Sequence, residues 1–144
     1  MVPCYNEEEN VIPMSEALVE VMTRELPQYD YEILFIDNCS QDRTREHIEK
    51  ICQGNKNIKA IFNVTNFGQF NSPFYGLCQT TGDCAISVCC DFQDPVEMIP
   101  KFVAEWEKGY KIVSGIKSQS KENKFIYMLR TIYYKMIRKM SDVE

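Results

Sequence analysis

Several features that mark membrane, secreted and zinc-binding proteins are missing from this sequence. No apolar run reaches the roughly 18 residues that a membrane span needs, and Met1–Cys4 opens without the basic and apolar segments of a signal peptide. The seven cysteines form an odd set without framework spacing, so we expect reduced thiols in a cytosolic protein. There is no Cys-x-x-Cys, and the only histidine, His47, lies far from the Cys89-Cys90 pair along the chain. A zinc site is therefore disfavoured.

The common phosphate-binding and nucleophilic motifs are also absent. No G-x-x-x-x-G-K-[ST] occurs, which excludes a P-loop. No G-x-G-x-x-G follows the first strand, so a dinucleotide-binding Rossmann site is not expected. His47 lies in a polar helical pattern and is expected at the surface, which leaves no credible Ser-His-Asp or Cys-His set. No nucleic-acid partner is expected either.

The charge is distributed unevenly along a chain long enough for one domain with a real core. Residues 1–100 carry 6 Lys and Arg against 16 Asp and Glu, whereas residues 101–144 carry 10 against 5. A basic end on an acidic domain suggests contact with phosphate or an anionic surface. A solvated basic face is the simpler alternative.

Short apolar runs alternate with longer stretches of helical spacing. Continuous apolar runs are typical of strands buried on both faces, and strands alternating with helices predict an α/β domain with a mainly parallel open sheet flanked by helices. Ser40 or Asp42 is expected to cap the second helix, and Pro95 to lie in the first turn of the fourth. The first strand looks truncated, because only "MVP" precedes the first loop. The predicted strands are 32–37, 58–64, 83–91 and 110–116, and the predicted helices are 9–26, 40–53, 69–81 and 95–109.

The last predicted helix, 124–140, is basic and amphipathic. One broad face is apolar and aromatic, and the other is cationic, a pattern typical of a helix lying in a membrane interface. Packing on the domain or on a partner is the alternative. The apolar face contains Phe125, Met128, Leu129, Ile132, Tyr133, Met136, Ile137 and Met140, and the basic face contains Lys124, Arg130, Lys135, Arg138 and Lys139.

Polar groups follow each of the first strands, at the edge of an open α/β sheet where ligands bind. Four polar loops meeting at one edge predict a site. Their carboxylate and amide oxygens suit ribose hydroxyls, a uracil N–H edge and hard cations such as Mg²⁺ and Mn²⁺. Such a cation would bridge to a diphosphate. The loops are 3–7, 37–40, 66–69 and 91–94.

Four motifs, in this order and spacing, resemble those of family 2 glycosyltransferases with the GT-A fold: "VPCYNEEEN", "EILFIDNCSQDRT", "NFGQFNSPFYGL" and "DFQDPVEMIP". The group they are most similar to is the polyprenyl-phosphate glycosyltransferases, which include enzymes like dolichol-phosphate mannose synthase. The resemblance covers nearly the whole chain, and the four motifs together are specific although each alone is modest.

The resemblance implies a role for individual residues. It places Asp37 against the base, Asp91 and Gln93 on the metal, and Asp94 beside the sugar as the candidate catalytic base. Pro95 and Glu97 would shape the following turn. The implied donor-binding residues are Pro3, Tyr5, Glu7, Asp37, Asn66, Gly68, Gln69, Asp91 and Lys117. The simpler interpretations are that Pro3 only sets a turn, that Tyr5 packs, that Ser40 and Asp42 cap a helix, and that Glu8, Glu9 and Glu16 lie on a solvated helix face.

The sequence departs from the family pattern at two sites. The family usually reads D-A-D-L-Q-D-P-P-E, but Cys89 stands in place of the first acid. The family's D-D-G-S is Asp37-Asn38-Cys39-Ser40 here. The stretch "SVCCDFQDPVE" is thus interpreted as a divalent-metal site with one expected ligand missing, which should weaken metal binding without nucleotide.

The resemblance implies an inverting transfer from a nucleotide-diphospho-sugar, with UDP as the expected nucleotide, to a polyprenyl phosphate or cell-surface glycan. Residues 1–117 would form the donor-binding GT-A core, and residues 118–144 a tail that begins a missing acceptor or membrane-proximal region. The expected location is the cytoplasmic face of the cell membrane, with a homo-oligomer left open. The alternatives are a polysaccharide-building transferase with a hydroxyl acceptor, a non-catalytic nucleotide-binding module or inactive fragment, and, less well supported, an acidic receiver-type signalling domain.

Overall fold

The computed structural model describes residues 1–116, together with residues 128, 130, 131, 133, 134, 136 and 137. The chain divides into two compact units, Met1–Val113 and Ser114–Glu144. The first unit alternates strands and helices, as the sequence predicts. Its elements are β1 (Val2–Cys4), α1 (Val11–Arg24), β2 (Ile33–Asp37), α2 (Thr44–Gly54), β3 (Ile58–Phe62), α3 (Gly68–Cys78), a 3₁₀ turn (Val96–Met98) and α4 (Ile99–Glu107).

The three strands form a parallel sheet in the order β1-β2-β3. The central strand β2 is buried along its whole length. Successive residues point to opposite faces, as the pleat requires. Phe35 packs in the main core, whereas Ile36 meets Gly76 of α3 on the other face. The sheet is therefore covered on both faces, which is why its sequence is continuously apolar.

The helices follow from their apolar spacing. In α1, Val11, Met14, Leu18 and Val21 recur at helical intervals and are all buried. Helix α4 buries Ile99 and Val103 and has a proline in its first turn, but this is Pro100 and not Pro95. Pro95 instead has an extended backbone and precedes the 3₁₀ turn. The expectation for Pro95 was wrong because the 3₁₀ turn separates it from the helix.

The predicted strand 83–91 is not assigned as a strand, although part of the segment lies beside β1. Val88 N–H donates to Met1 O at 3.1 Å, and the Met1 amine donates to Ile86 O at 2.8 Å. Burial alternates here: Val88 and Cys90 are buried, but Cys89 is exposed. One face of the segment thus packs on the core and the other faces outward, unlike the strand buried on both faces that its apolar sequence predicts.

The predicted strand 110–116 is absent from the described part of the chain. Tyr110, Ile112 and Ile116 are largely exposed, and no backbone ladder pairs this segment with a neighbour among the described residues. An apolar run forms a strand only where another strand supplies hydrogen-bond partners. Its β-like sequence was therefore not sufficient.

Seven residues of the predicted helix 124–140 are described, and all seven are helical. Met128, Tyr133, Met136 and Ile137 are exposed. The rings of Tyr133 and Tyr134 meet edge to face, with centroids 5.6 Å apart. Within the residues that the structure describes, no helix has the length and apolar character to cross a membrane.

Candidate functional site

The carboxyl ends of the three strands lie level at one edge of the sheet. Cys4 is in register with Asp37, and Asp37 is in register with Phe62. The loops that follow, 5–10, 38–43 and 63–67, therefore leave the sheet side by side. Pairing of Met1 with Ile86 and Val88 brings the 91–94 loop to the same edge. We call this edge, with its four loops, the rim.

The first two rim loops are hydrogen-bonded to each other along their length. Asn6 N–H donates to Ser40 Oγ at 2.9 Å, and Gln41 N–H donates to Asn6 Oδ1 at 2.8 Å. Glu7 N–H donates to the buried Thr44 hydroxyl at 2.7 Å. The backbone of the first loop is thus held by side chains of the second, which gives the rim a defined shape.

Glu8 also joins the first rim loop to the second, and it is not part of a solvated helix face. Helix α1 begins only at Val11, and Glu8 Oε2 accepts the Arg43 N–H at 3.0 Å and Arg43 Nε at 3.2 Å. These bonds hold the pKa of Glu8 below its usual range, the backbone bond being the larger cause. His47 Nδ1 lies 3.0 Å from Glu8 O and must carry a proton, because a carbonyl only accepts. The half-buried His47 therefore supports the loop and is not simply a surface residue.

Asp42 joins the loops in the same way. Its Oδ2 accepts Glu8 N–H at 3.1 Å and its Oδ1 accepts Thr44 N–H at 3.0 Å, at the start of α2. Burial alone would raise the pKa of Asp42, but bonds from Thr44 and from the Glu8 backbone lower it overall. The N-cap of α2 is Arg43, without a side-chain cap bond, so neither Ser40 nor Asp42 occupies the cap position that was predicted for them. Asp42 precedes the cap and bonds to the first helical N–H, whereas Ser40 is engaged by Asp37 and Asn6.

Three rim loops contain one residue with a left-handed backbone, and the first residue of α3, directly after the third loop, has the same conformation. These are Asn6 (φ 57°), Cys39 (φ 67°), Gly68 (φ 85°) and Phe92 (φ 57°). Only glycine adopts this conformation without steric cost, and an aromatic residue there is a clear outlier. Strained backbone of this kind concentrates at functional sites, so its recurrence at Asn6, Cys39 and Phe92 marks the rim.

Asp37 lies at the end of β2 and is only 2% exposed. Its carboxylate accepts the Ser40 backbone N–H at 3.3 Å and the Ser40 hydroxyl at short range. In this structure Asp37 therefore holds the turn beneath the rim surface. Its carboxylate does not lie on that surface, where the resemblance placed it against a base.

The third loop is built around Asn66 and Gly68. Asn66 Oδ1 accepts Gly68 N–H at 2.8 Å and Asn38 Nδ2 at 2.9 Å. Gly68 begins α3. A Cβ at this position would meet no atom within 4 Å, so glycine is required here by the positive φ and not by a lack of space. Asn66, Gly68 and Gln69 are all exposed, so the residues predicted to lie along the donor are accessible at the rim.

The fourth loop carries the residues predicted for the metal. Asp91 Oδ1 accepts Gln93 N–H at 3.0 Å, a short turn closed by the side chain. Asp91 and Gln93 are exposed, and Asp94 is half-buried. Within the described residues, no three His, Cys, Asp or Glu side chains are grouped as a metal cluster. The loop thus presents oxygen ligands without forming an independent metal site in that region.

The two adjacent cysteines before this loop have separate environments. Cys90 is buried beside Cys4, and Cys89 is exposed. Hydrogen bonding with Cys90, together with burial, raises the pKa of the Cys4 thiol. Buried, protonated thiols are unreactive and behave as small apolar groups. Cys4 and Cys90 therefore join β1 to the neighbouring segment through packing, and none of the seven cysteines, all of which are described, forms a disulfide.

The remaining predicted donor residues belong to the first loop, except one. Pro3 lies within β1 opposite Ile36, and Tyr5 follows with 47% of its surface exposed. Glu7 is half-buried, and its Oε2 accepts Asn10 Nδ2 at 2.7 Å. Lys117 lies outside the described residues.

The sequence interpretation treated Asn38 mainly as a departure from the family pattern. In the structure Asn38 is buried and its amide contacts the Asn66–Gly68 loop. Thr44 and Asn63 have comparable supporting positions, and neither was considered. A polar residue directly after a buried strand was the available signal, but sequence alone does not show which loop such a residue contacts.

A cavity of about 180 Å³ lies at the opposite, amino edge of the sheet, beside Met1 and Ile33. Its walls are mainly apolar, from Leu18 and Met22 of α1 to Val103 and Trp106 of α4. The rim, not this cavity, collects the convergent polar groups.

A parallel α/β sheet with polar loops gathered at its carboxyl edge is the arrangement in which open α/β domains bind their ligands. The chain belongs to glycosyl transferase family 2, whose profile matches residues 1–143. Over 142 residues it is 33% identical to a bactoprenol glucosyl transferase of Shigella phage SfX, covering 98% of this chain and 46% of that protein.

Two solved structures show the same fold. S. aureus TarS 1–349 is 24% identical, with a TM-score of 0.59 over 84% of this chain and 38% of that chain, a likeness that concerns the fold alone. S. aureus TarS 1–349 in complex with UDP is 25% identical, with a TM-score of 0.56 over 85% of this chain and 38% of that chain. The expected α/β fold of GT-A type is thereby confirmed. The chain spans about half the length of the curated relatives it matches.

Proposed function

We propose that this chain binds the donor for an inverting glycosyl transfer from a nucleotide-diphospho-sugar, with UDP as the nucleotide. The observation that carries the proposal is the convergence of four polar loops at one sheet edge in a family 2 chain. Likeness to S. aureus TarS in complex with UDP supports a uridine nucleotide. Because the relatives are about twice as long, the transfer is proposed for the whole protein and donor binding for this part.

The donor would lie across the rim and contact all four loops. The half-exposed ring of Tyr5 is available to pack against a base, and the exposed amide of Asn66 can bond to donor oxygens. Asp37 would act through Ser40, whose turn it holds. We keep as donor contacts Pro3, Tyr5, Glu7, Asn66, Gly68, Gln69, Asp91 and Lys117, with Asp37 as an indirect member of the donor site.

The proposed cation is Mg²⁺ or Mn²⁺, held by Asp91 and Gln93 together with diphosphate oxygens. One carboxylate oxygen of the exposed Asp91 is engaged by Gln93 N–H, which leaves Oδ2 as a ligand. Mg²⁺ is often bound through only one or two protein carboxylates plus substrate phosphates, so these residues fit a cation that arrives with the nucleotide. When bound, the cation would neutralise charge on the departing diphosphate.

For the acceptor we propose a polyprenyl phosphate, with a glycan as the alternative. A phosphate acceptor is already anionic at neutral pH and needs little help from a base. A hydroxyl acceptor would need a base, and the half-buried Asp94 beside the metal loop is our candidate. Assays of the whole protein with each acceptor type distinguish the two, because only hydroxyl transfer should depend strongly on Asp94.

The surface of α3 supports an acceptor with an apolar chain. Residues 60–82 contain no charged residue, and Phe67, Phe70, Phe74 and Tyr75 are between 49% and 78% exposed. An exposed apolar patch of this kind usually marks an interaction site. The patch begins at the rim loop itself, where an isoprenoid chain could lie while its phosphate meets the donor.

The location and the tail belong to the same proposal. We place residues 1–117 as the donor-binding core and residues 118–144 as a basic tail that contacts the cytoplasmic face of the membrane through the predicted helix 124–140. Lys and Arg on one face and aromatic residues on the other suit an anionic lipid surface. A homo-oligomer is compatible with this arrangement.

Calorimetric titration of UDP and of GDP, each with Mn²⁺ and with EDTA, tests donor binding. We expect UDP to bind in a metal-dependent manner, and Asp91→Ala to weaken that binding at least about tenfold, since truncation removes the carboxylate ligand. Asp83→Ala is the matched control, because this exposed acid begins the same segment at the opposite edge of the sheet. Its affinity for UDP should stay unchanged.

The other outcomes separate the alternatives. Unchanged affinity of Asp91→Ala with Mn²⁺ would contradict the metal assignment while leaving donor binding intact. Absence of binding for both nucleotides would overturn the proposed donor site and favour an inactive relative. Tight UDP binding without any transfer by the whole protein would identify a non-catalytic nucleotide-binding module.

A further inference from the structure

The side chain of Asn38 is buried, with 8% of its surface exposed, and it makes four hydrogen bonds. Its Nδ2 donates to Asn66 Oδ1 at 2.9 Å and to Gly68 O at 3.3 Å. Its Oδ1 accepts Phe67 N–H at 2.9 Å and Asn63 Nδ2 at 3.1 Å. Three of these four partners belong to the loop at the start of α3, so this one amide connects the end of β2 to that loop.

Two backbone groups determine which way the Asn38 amide faces. Phe67 N–H can only donate and Gly68 O can only accept. Position 38 therefore needs an acceptor and a donor on the same planar group. Aspartate has the same shape but, when ionised, only accepts, and it would place a negative oxygen against the Gly68 carbonyl.

The Asn38 amide and the Gly68 N–H together orient the Asn66 amide. Asn66 Oδ1 accepts from both Asn38 Nδ2 and Gly68 N–H, so the oxygen end of this amide is directed into the protein. The Nδ2 end then faces away from these partners, on a residue that is exposed at the rim. A donor N–H₂ is thus presented where the nucleotide is proposed to lie.

We propose that Asn38 is a positioning residue that orients the Asn66 amide, so that Asn66 Nδ2 donates to an oxygen of the bound nucleoside diphosphate. This inference rests on the proposed donor site. Asn38 departs from D-D-G-S, but in this chain its amide supplies the donor and the acceptor that residues 66–68 require. Ser72 extends the support, since Asn63 Nδ2 also donates to its buried hydroxyl at 2.9 Å.

The test compares UDP affinity, with Mn²⁺ present, in the wild type and in Asn38→Asp, Asn66→Ala and the double variant. We expect Asn38→Asp and Asn66→Ala each to weaken UDP binding about tenfold or more, the usual effect of losing a hydrogen bond to a charged group. Because Asn38 acts through Asn66, the double variant should be no weaker than the weaker single variant. Asn66→Ala alters an exposed residue and keeps the test informative if Asn38→Asp does not fold.

The matched control is Gln79→Glu, which makes the same amide-to-carboxylate change at the exposed end of α3. It should change UDP affinity by less than about threefold, as screened surface charges do, which separates orientation of Asn66 from repulsion of an anionic ligand.

A second measurement uses pH. Protonation gives the introduced carboxyl group a donor O–H again, so UDP affinity of Asn38→Asp should recover toward the wild-type value as pH falls.

Three results would overturn the inference. Wild-type affinity in Asn38→Asp, equal losses in Asn38→Asp and Gln79→Glu, or additive losses in the double variant would each refute it while leaving the donor site standing. Failure of the wild type itself to bind UDP would instead remove the proposed function and this inference together.

Discussion

Cys39 shows how a single residue can conflict with the backbone it occupies. It lies in the rim at φ 67°, where L residues other than glycine are disfavoured by roughly 1–2 kcal/mol. Its thiol has only long contacts, 3.8 Å to Val64 O and 3.8 Å to Gln41 Nε2. The family pattern has glycine at this point of D-D-G-S, and the backbone here has kept the conformation that glycine favours.

Cys39→Gly should therefore stabilise the protein. The free energy gained by relieving the strain exceeds the free-energy cost of the extra entropy that glycine gives the unfolded chain. We therefore expect a gain of about 0.5–1 kcal/mol in the free energy of unfolding. Urea denaturation followed by circular dichroism measures it. Cys78→Gly, at the exposed end of α3 without a positive φ, is the control and should destabilise by up to about 1 kcal/mol. Equal losses in both variants would show that position 39 is not strained.

The Met1 amine is a second group with an unusual environment. It donates to Ile86 O, and burial lowers its pKa from 8.0 to about 6, although the charge of Glu32 opposes this shift. The unfolded chain then binds more protons than the folded chain between about pH 6 and pH 8. Stability must consequently rise with pH across this window.

For the 144-residue chain with a free amine, we expect the free energy of unfolding to increase by roughly 2–3 kcal/mol from below pH 6 to above pH 8. Urea denaturation at a series of pH values measures the slope. Acetylation of the amine is the control that isolates the contribution of Met1. An identical slope in the acetylated chain would contradict the assignment.

At the scale of elements, α3 is positioned by a glycine. A Cβ at Gly76 would lie 3.1 Å from Ile36 Cγ2 and 3.3 Å from Met1 Cγ, closer than ordinary van der Waals contact. The helix can approach β2 this closely only because position 76 has no side chain. Since α3 begins at the rim loop, this contact also sets where Asn66 and Gly68 lie.

Gly76→Val should force α3 away from the sheet and destabilise the fold by about 1–3 kcal/mol, the usual cost of overpacking. Thermal denaturation measures it. Gly54→Val is the control, because a Cβ at Gly54, at the exposed end of α2, meets nothing within 4 Å. The loss of stability in Gly54→Val should be no more than that expected for a substitution at an exposed helix end. A Gly76→Val variant as stable as this control would show that α3 tolerates the displacement.

At the scale of the whole molecule, the rim arises from the level ends of parallel strands. Each strand contributes one loop, and side chains of one loop hold the backbone of another, as Ser40, Thr44 and Asp42 hold residues 6–8. Asn6 keeps its left-handed backbone because these bonds over-determine the first loop. The site is thus a property of the assembled sheet, and no single loop would keep this geometry alone.

The sequence by itself determined the α/β class, the helices and the first strands, because apolar spacing is a local signal. It also identified the rim residues Tyr5, Asn66 and Asp91, since polar groups directly after strands are visible in the chain. Tertiary structure decided what depends on distant partners. Segment 110–116 is not a strand because no ladder pairs it within the described residues. Asp37 is buried because Ser40 closes over it. Asn38 supports Asn66 because the fold brings two loops together. Hydrogen bonds between residues far apart in sequence leave no local pattern, and these bonds shape the rim.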